Sequence, residues 1–232
     1  MTKSPCHTAP PNQPVAMDWA VIFDWDGVVV DSSRAHCLAW EKLADELGLS
    51  LPPEHMERGF GRKNIVIIPE ILRWSKDPAE IDRLSNRKEA LYRELLEEGH
   101  GALLPGARAF LRRLAAIRVP CAVGSSTDRA NIEHAMEKFA LQGLFADIAS
   151  AEDCDEGKPA PDVFLAAADK MGIQPASCVV IEDAPYGVEA AHRGGMKAVG
   201  LLTSHPESTM SQADLIVKDL SELRVSDIKA LL

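Results

Sequence analysis

The sequence predicts an α/β fold: a parallel β-sheet covered by helices on both faces, with a helical module inserted after the first strand. Three observations carry this. From residue 103 onward, short continuous apolar runs alternate with helical stretches. An isolated apolar run of the same kind, WAVIFD (19–24), stands near the N-terminus. Between them, residues 49–100 are dense in Glu, Lys, Arg and Leu and show no strand pattern.

The elements follow in order. Residues 1–17 are rich in proline and small polar residues and predict a flexible tail. Residues 19–24 read as a short buried strand. From Ser33 to Leu47 apolar residues recur at helical spacing, Gly48 stops the run as a C′ glycine does, and Ser32 or Ser33 caps its start. Helices are expected near 65–74 and 78–98. LLPGA (103–107) marks a turn back to the sheet. A helix over 107–117 precedes a strand at 120–124. A helix at 128–140 and a strand at 147–150 come next, then a helix at 161–171. The remaining strands fall at 178–183, 197–202 and 214–217, with a helix at 185–194. The domains are therefore a tail at 1–17, a core at 18–32 and 104–232, and the helical module at 33–103.

The chain has 232 residues, 46% apolar and 26% charged, enough for a sizeable core. Its formal net charge of −10 argues against a nucleic-acid surface. No apolar run approaches the roughly 20 residues of a membrane span, and the N-terminus lacks the apolar core of a secretory signal. Five cysteines form no C-x-x-C pair, which argues against zinc and disulfides and for a reducing cytoplasm. Cys121 and Cys178 fall inside apolar strands and are expected in the core.

The chemistry starts at VIFDWDGVVVDSS (21–33), where Asp24 and Asp26 end the first strand. Two carboxylates so close to a buried strand end need compensation. Open parallel sheets bind ligands outside the carboxyl ends of their strands. GSST (124–127) and ED (182–183) end two later strands, so Asp24, Asp26, Glu182 and Asp183 are expected to meet at one edge. Oxygen-only ligands suit Mg²⁺. Ser125 and Ser126 offer hydroxyls and backbone N–H groups at a helix N-terminus, and Lys158 offers an ammonium. Acids, a metal, hydroxyls and a lysine together describe phosphoryl transfer. A carboxylate can attack phosphorus, and a second acid can protonate the departing oxygen. Gly27 permits the tight backbone between them. Asp128 reads as a first-turn acid favoured by the helix dipole.

Four stretches in order, FDWDGVVVDS (23–32), VGSSTD (123–128), GKPAPDVF (157–164) and VVIEDAPYGVEAAHRGGM (179–196), resemble the haloacid dehalogenase superfamily. The resemblance covers 19–220. It implies a Rossmann-like core with an α-helical cap inserted after the first motif. The cap is expected to close over the site and exclude water, about hinges near 31–34 and 102–106. The resemblance implies Asp24 as nucleophile, Asp26 as general acid/base, and Ser125 and Lys158 holding the phosphate. Magnesium would be held by Asp24, the Asp26 carbonyl and Asp183, with Glu182 as a ligand or the partner of one. Within the superfamily, an acid at Asp26 favours phosphate esters, and His36, Trp40 and Lys88 match the β-phosphoglucomutase-like subgroup and its sugar phosphatases. Where the mutase carries a cap arginine, this chain has Asn64, with Arg62 and Lys63 beside it. Ser126, His36, Trp40, Arg62, Lys63 and Lys88 are thus the expected substrate-binding residues. The expected activity is Mg²⁺-dependent hydrolysis of a small phosphorylated metabolite, such as a sugar phosphate, by a monomer. A sugar phosphomutase and a non-catalytic phosphate-binding protein are the alternatives.

Overall fold

The computed structural model describes residues 17–59 and 61–232. The expected tail lies, Met17 excepted, outside the described residues. Six strands form one parallel sheet: β1 (Ala20–Phe23), β4 (Cys121–Gly124), β5 (Asp147–Ala149), β6 (Cys178–Glu182), β7 (Lys197–Leu201) and β8 (Leu215–Val217), in the order β5-β4-β1-β6-β7-β8. The first strand is therefore central, with Val21 beside Cys121 on one side and Val179 on the other.

The continuous apolar runs follow from burial on both faces. Side chains alternate across a strand. Val21, Phe23, Val123, Val179 and Ile181 enter one apolar cluster, and Ala20, Ile22, Ala122, Cys178 and Val180 enter a second. Helix α5 (Ala107–Ala116) covers the first face through Phe110, Leu111 and Leu114, with Phe110 edge-on to Phe23 at 6.3 Å. Helix α7 (Asp162–Met171) covers the second face through Val163, Phe164 and Ala167, together with α8 (Pro185–Arg193). Helix α6 (Arg129–Lys138) follows β4, and a short α9 (Val225–Lys229) ends the chain.

The helical insertion comprises α1 (Ser33–Leu47), α2 (His55–Gly59), α3 (Asn64–Val66) and α4 (Pro78–Glu97). Helices α1 and α4 pack together, and Trp40, Leu43, Leu91 and Leu95 extend the first apolar cluster into the insertion. Gly48 ends α1 in the left-handed region at φ 65°. The start of α1 differs from expectation. Ser32 holds the N-cap position but makes no side-chain cap bond, because its hydroxyl donates to Asp26 instead. The single helix expected over 65–74 is α3 followed by a π-helical turn, Ile67–Leu72. Pro69 inside that turn has no N–H to give an ordinary helical ladder. One element was not foreseen. Val30–Asp31 (β2) and Ala102–Leu103 (β3) pair antiparallel at the base of the insertion. Two-residue strands carry no readable alternation.

Candidate active site

Every strand-end residue named above reaches the same edge of the sheet. Asp24 follows β1, and its N–H donates to Ile181 O of β6 at 3.0 Å, locking the two strand ends together. The chain then turns through Gly27 at φ 82°. A Cβ there would stand 1.9 Å from Asp183 Oδ2, so only glycine lets the turn lie against that carboxylate.

Lys158 Nζ lies 2.9 Å from Asp24 Oδ1 and 2.7 Å from Glu182 Oε1. Burial opposes the charge on Lys158, yet these two carboxylates raise its pKa above the ordinary value. Glu182 is fully buried, and its other oxygen accepts the N–H groups of Asp183 and Ala184, each at 2.7 Å. Among the described residues, Asp24, Glu182 and Asp183 each bring one oxygen within 4.8 Å of the others. Burial, opposed by Lys158 and reinforced by Glu182 and Asp26, pushes the Asp24 carboxyl up to about 7. Burial, then Glu182 and Asp24, raise Asp183 well above the usual carboxylate range. Asp183 Oδ2 is buried with no hydrogen-bond partner among the described residues. An orphaned carboxylate oxygen among all-oxygen donors fits a hard divalent cation.

Asp26 is the opposite case. Ser32 Oγ donates to it at 2.5 Å, Thr127 Oγ1 donates to its other oxygen, and His36 Nε2 stands 3.5 Å away. Burial works against ionisation, but His36 and the two hydroxyls lower its pKa to about 2. His36 Nδ1 is 2.8 Å from Lys88 Nζ. An ammonium only donates, so Nδ1 accepts and Nε2 carries its hydrogen toward Asp26. His36 also stacks on Tyr92 at 4.2 Å, and Lys88 lies over the Trp40 ring at 5.4 Å.

A cavity of about 720 Å³ opens on these groups and is lined by core and insertion alike. All the expected substrate-binding residues line it: Ser126, His36, Trp40, Arg62, Lys63 and Lys88. They are not equally available. Lys63 donates to the carbonyls of Ala151 and Cys154 across the cavity mouth, and Lys88 also pairs with Glu89 at 2.9 Å. Asn64 donates to Glu89 at 2.6 Å. Arg62 is exposed. Ser125 is buried and Ser126 half-buried in the loop after β4, three and two residues short of the N-cap at Asp128, so neither serves as the cap of α6. Ser125 Oγ accepts instead from the N–H of Thr127 at 3.3 Å.

The family profile of haloacid dehalogenase-like hydrolases matches residues 20–195. The chain belongs to that family. The hydrolase is 35% identical over 215 residues to the chloroplastic 5-amino-6-(5-phospho-D-ribitylamino)uracil phosphatase of Arabidopsis thaliana, covering 90% of this chain but only 57% of that protein. It is 33% identical over 210 residues to Beta-phosphoglucomutase of Bacillus subtilis, covering 88% of this chain and 91% of the relative. Its fold matches the crystal structure of β-phosphoglucomutase from Clostridium difficile with a TM-score of 0.81 at 26% identity, over 93% and 97% of the two chains. The hydrolase is thus an enzyme whose relatives include phosphatases and a phosphomutase acting on phosphorylated metabolites. Among the described residues, no helix is long and apolar enough to cross a membrane.

Four residues at or behind the site escaped the sequence reading. Thr127 follows the expected serines, but its hydroxyl points to Asp26 only through the tertiary fold. Thr203 and His205, in the loop 202–208, donate or bond to Gly27 O and Asp183 O and seat that loop on the first motif. Asn131 of α6 joins Glu89 and Arg93 of α4. None of these has a local pattern that marks it.

Proposed function

We propose that the hydrolase cleaves a small phosphomonoester, of the sugar-phosphate kind, in two displacements through phospho-Asp24. The observation that supports this most is the placement of Asp24 beside Lys158, with Asp26 two residues on and held by its own donors. One Asp24 oxygen attacks phosphorus and the P–O bond to the leaving group breaks. Lys158 and Ser125 orient the phosphoryl oxygens. The proton for the departing oxygen comes from Asp26, whose pKa an entering phosphate dianion raises. Asp26, ionised after that transfer, takes a proton from the water that hydrolyses phospho-Asp24. His36 holds Asp26 in place throughout. Asp24 and Asp183 are the carboxylates that would hold Mg²⁺, with Glu182 keeping Lys158 and the Asp183 backbone in position. When bound, the cation supplies charge that offsets the repulsion between Asp24 and an anionic substrate.

One observation favours a mutase as the second reading. Arg62 lines the cavity and its guanidinium has no hydrogen-bond or ion-pair partner among the described residues, so it is free to meet a distal phosphate. The other cap cations, Lys63 and Lys88, are already engaged. The test is turnover of p-nitrophenyl phosphate with Mg²⁺ and with EDTA. Phosphate release requiring Mg²⁺, lost in Asp24→Asn, and a quenched phosphate adduct on the peptide bearing Asp24 support the phosphatase. Turnover that survives Asp24→Asn contradicts it. Bisphosphate-primed interconversion of sugar phosphates without phosphate release favours the mutase.

A further inference from the structure

The mechanism above has no use for Asp128. It holds the N-cap position of α6, yet its side chain makes no cap hydrogen bond. Expected as a first-turn acid, it stands one residue earlier, still at the positive end of α6. Among the described residues its carboxylate has no hydrogen-bond or ion-pair partner, and it lines the cavity. Burial, then the nearby Glu89 and Glu152, push its carboxyl up to about 6. The neighbouring cations are spent elsewhere. Lys88 serves His36 and Glu89, Arg93 donates to Asn131, and Arg129 bonds Ile148 O and Asp153.

We propose that Asp128 selects the leaving group: it accepts a hydroxyl of a neutral, hydroxyl-rich monophosphate ester and repels any second phosphate. This rests on the phosphatase reading of the same cavity. The carboxylate is half-buried and lines the cavity, so a substrate hydroxyl can take the place that water holds there. Glu89 and Glu152 act on it as like charges and Lys88 and Arg93 as opposite ones, but Lys88 is paired with Glu89 and Arg93 is bonded to Asn131, so a second phosphate placed at Asp128 meets an unpaired negative charge. Met56, Ile65, Ile67 and Ile81 also line the cavity and suit an uncharged carbon framework. Its volume of about 720 Å³ leaves room for a leaving group larger than a triose.

The test uses the full-length Asp24→Asn chain, so that binding is read without turnover. Fructose 1-phosphate and fructose 1,6-bisphosphate are titrated by calorimetry with Mg²⁺, with and without Asp128→Asn. The expected result is at least tenfold tighter binding of the monophosphate. Asp128→Asn then narrows that ratio about tenfold by weakening the monophosphate and strengthening the bisphosphate, and Asp128→Lys inverts it. A general structural loss moves both constants together, so the ratio isolates the role of the carboxylate. A ratio unmoved by both variants, constants that move together, or no monophosphate binding overturns the proposal. Failure of the phosphatase reading is seen separately, as absent turnover by the unsubstituted chain.

Discussion

Asp26 is held by hydroxyls of Ser32 and Thr127 and by the ring of His36, groups from the start of α1, the loop after β4 and the body of α1. All three favour the carboxylate form, which is why its pKa falls to about 2 despite burial. A hydrogen bond to a charged group contributes about 1.5–3 kcal/mol, and one pKa unit is 1.36 kcal/mol. Thr127→Val is therefore expected to raise the Asp26 pKa by about one to two units, read by carbon-13 NMR titration of the carboxyl. An unmoved titration would show that Thr127 does not hold Asp26. Asp24, Asp26, Ser125 and Asp183 were legible because each sits at or just past a strand end in a distinctive run of residues, and Lys158 because of its GKPAPD run in the turn before α7. Thr127, Asp128 and His205 were not, because their roles depend on where a side chain points after folding. Ser32 and Ser33 illustrate the limit: two good capping residues, of which one gives its hydroxyl to Asp26 and the other to Asp31.

At the scale of elements, the strands were legible because burial on both faces leaves unbroken apolar runs. The β2–β3 pair and the π-helical turn were not, since the first needs a partner more than 70 residues away and the second depends on Pro69 within an otherwise helical pattern. The pair stands where the hinge between core and cap was expected, and we propose that it serves as that hinge. Polar contacts of α4 with α6 oppose free movement. Asn131, fully buried, donates to Glu89 at 2.5 Å and accepts from Arg93 at 2.7 Å, and Glu97 meets Lys138 at 3.3 Å. Asn131→Leu leaves a buried carboxylate oxygen and a guanidinium hydrogen without partners, which costs about 1–3 kcal/mol. For a chain of this size that is a fall in Tm of several degrees, on the order of 2–4 °C per kcal/mol. The same variant should speed proteolysis within the insertion. Unchanged Tm and cleavage would show that the α4–α6 contact does not fasten the cap.

At the scale of the molecule, the sheet gathers acids from residues 24, 182 and 183 into one buried cluster, and the free energy of that gathering depends on pH. Asp24 has an ordinary value of 3.8 but titrates near 7 in the fold. Between those values the folded chain holds more protons than the unfolded one, so this group's contribution to stability falls as pH rises from about 4 to 7. Asp183 is shifted in the same direction. Asp26 acts oppositely, its contribution being lost as pH falls from 3.8 toward 2. A divalent cation that replaces the protons should therefore stabilise the fold most at high pH. At a hundred times its dissociation constant, a ligand adds about 2.7 kcal/mol, or roughly 5–10 °C in Tm here.

The most direct measurement is thermal melting with and without Mg²⁺ at pH 5 and pH 8, in the unsubstituted chain and in Asp183→Asn. A large Mg²⁺ shift at pH 8, a small one at pH 5 and almost none in Asp183→Asn is the predicted result. An equal shift in Asp183→Asn, or no shift in either chain at pH 8, would contradict the claim that these carboxylates hold one cation beside Asp24.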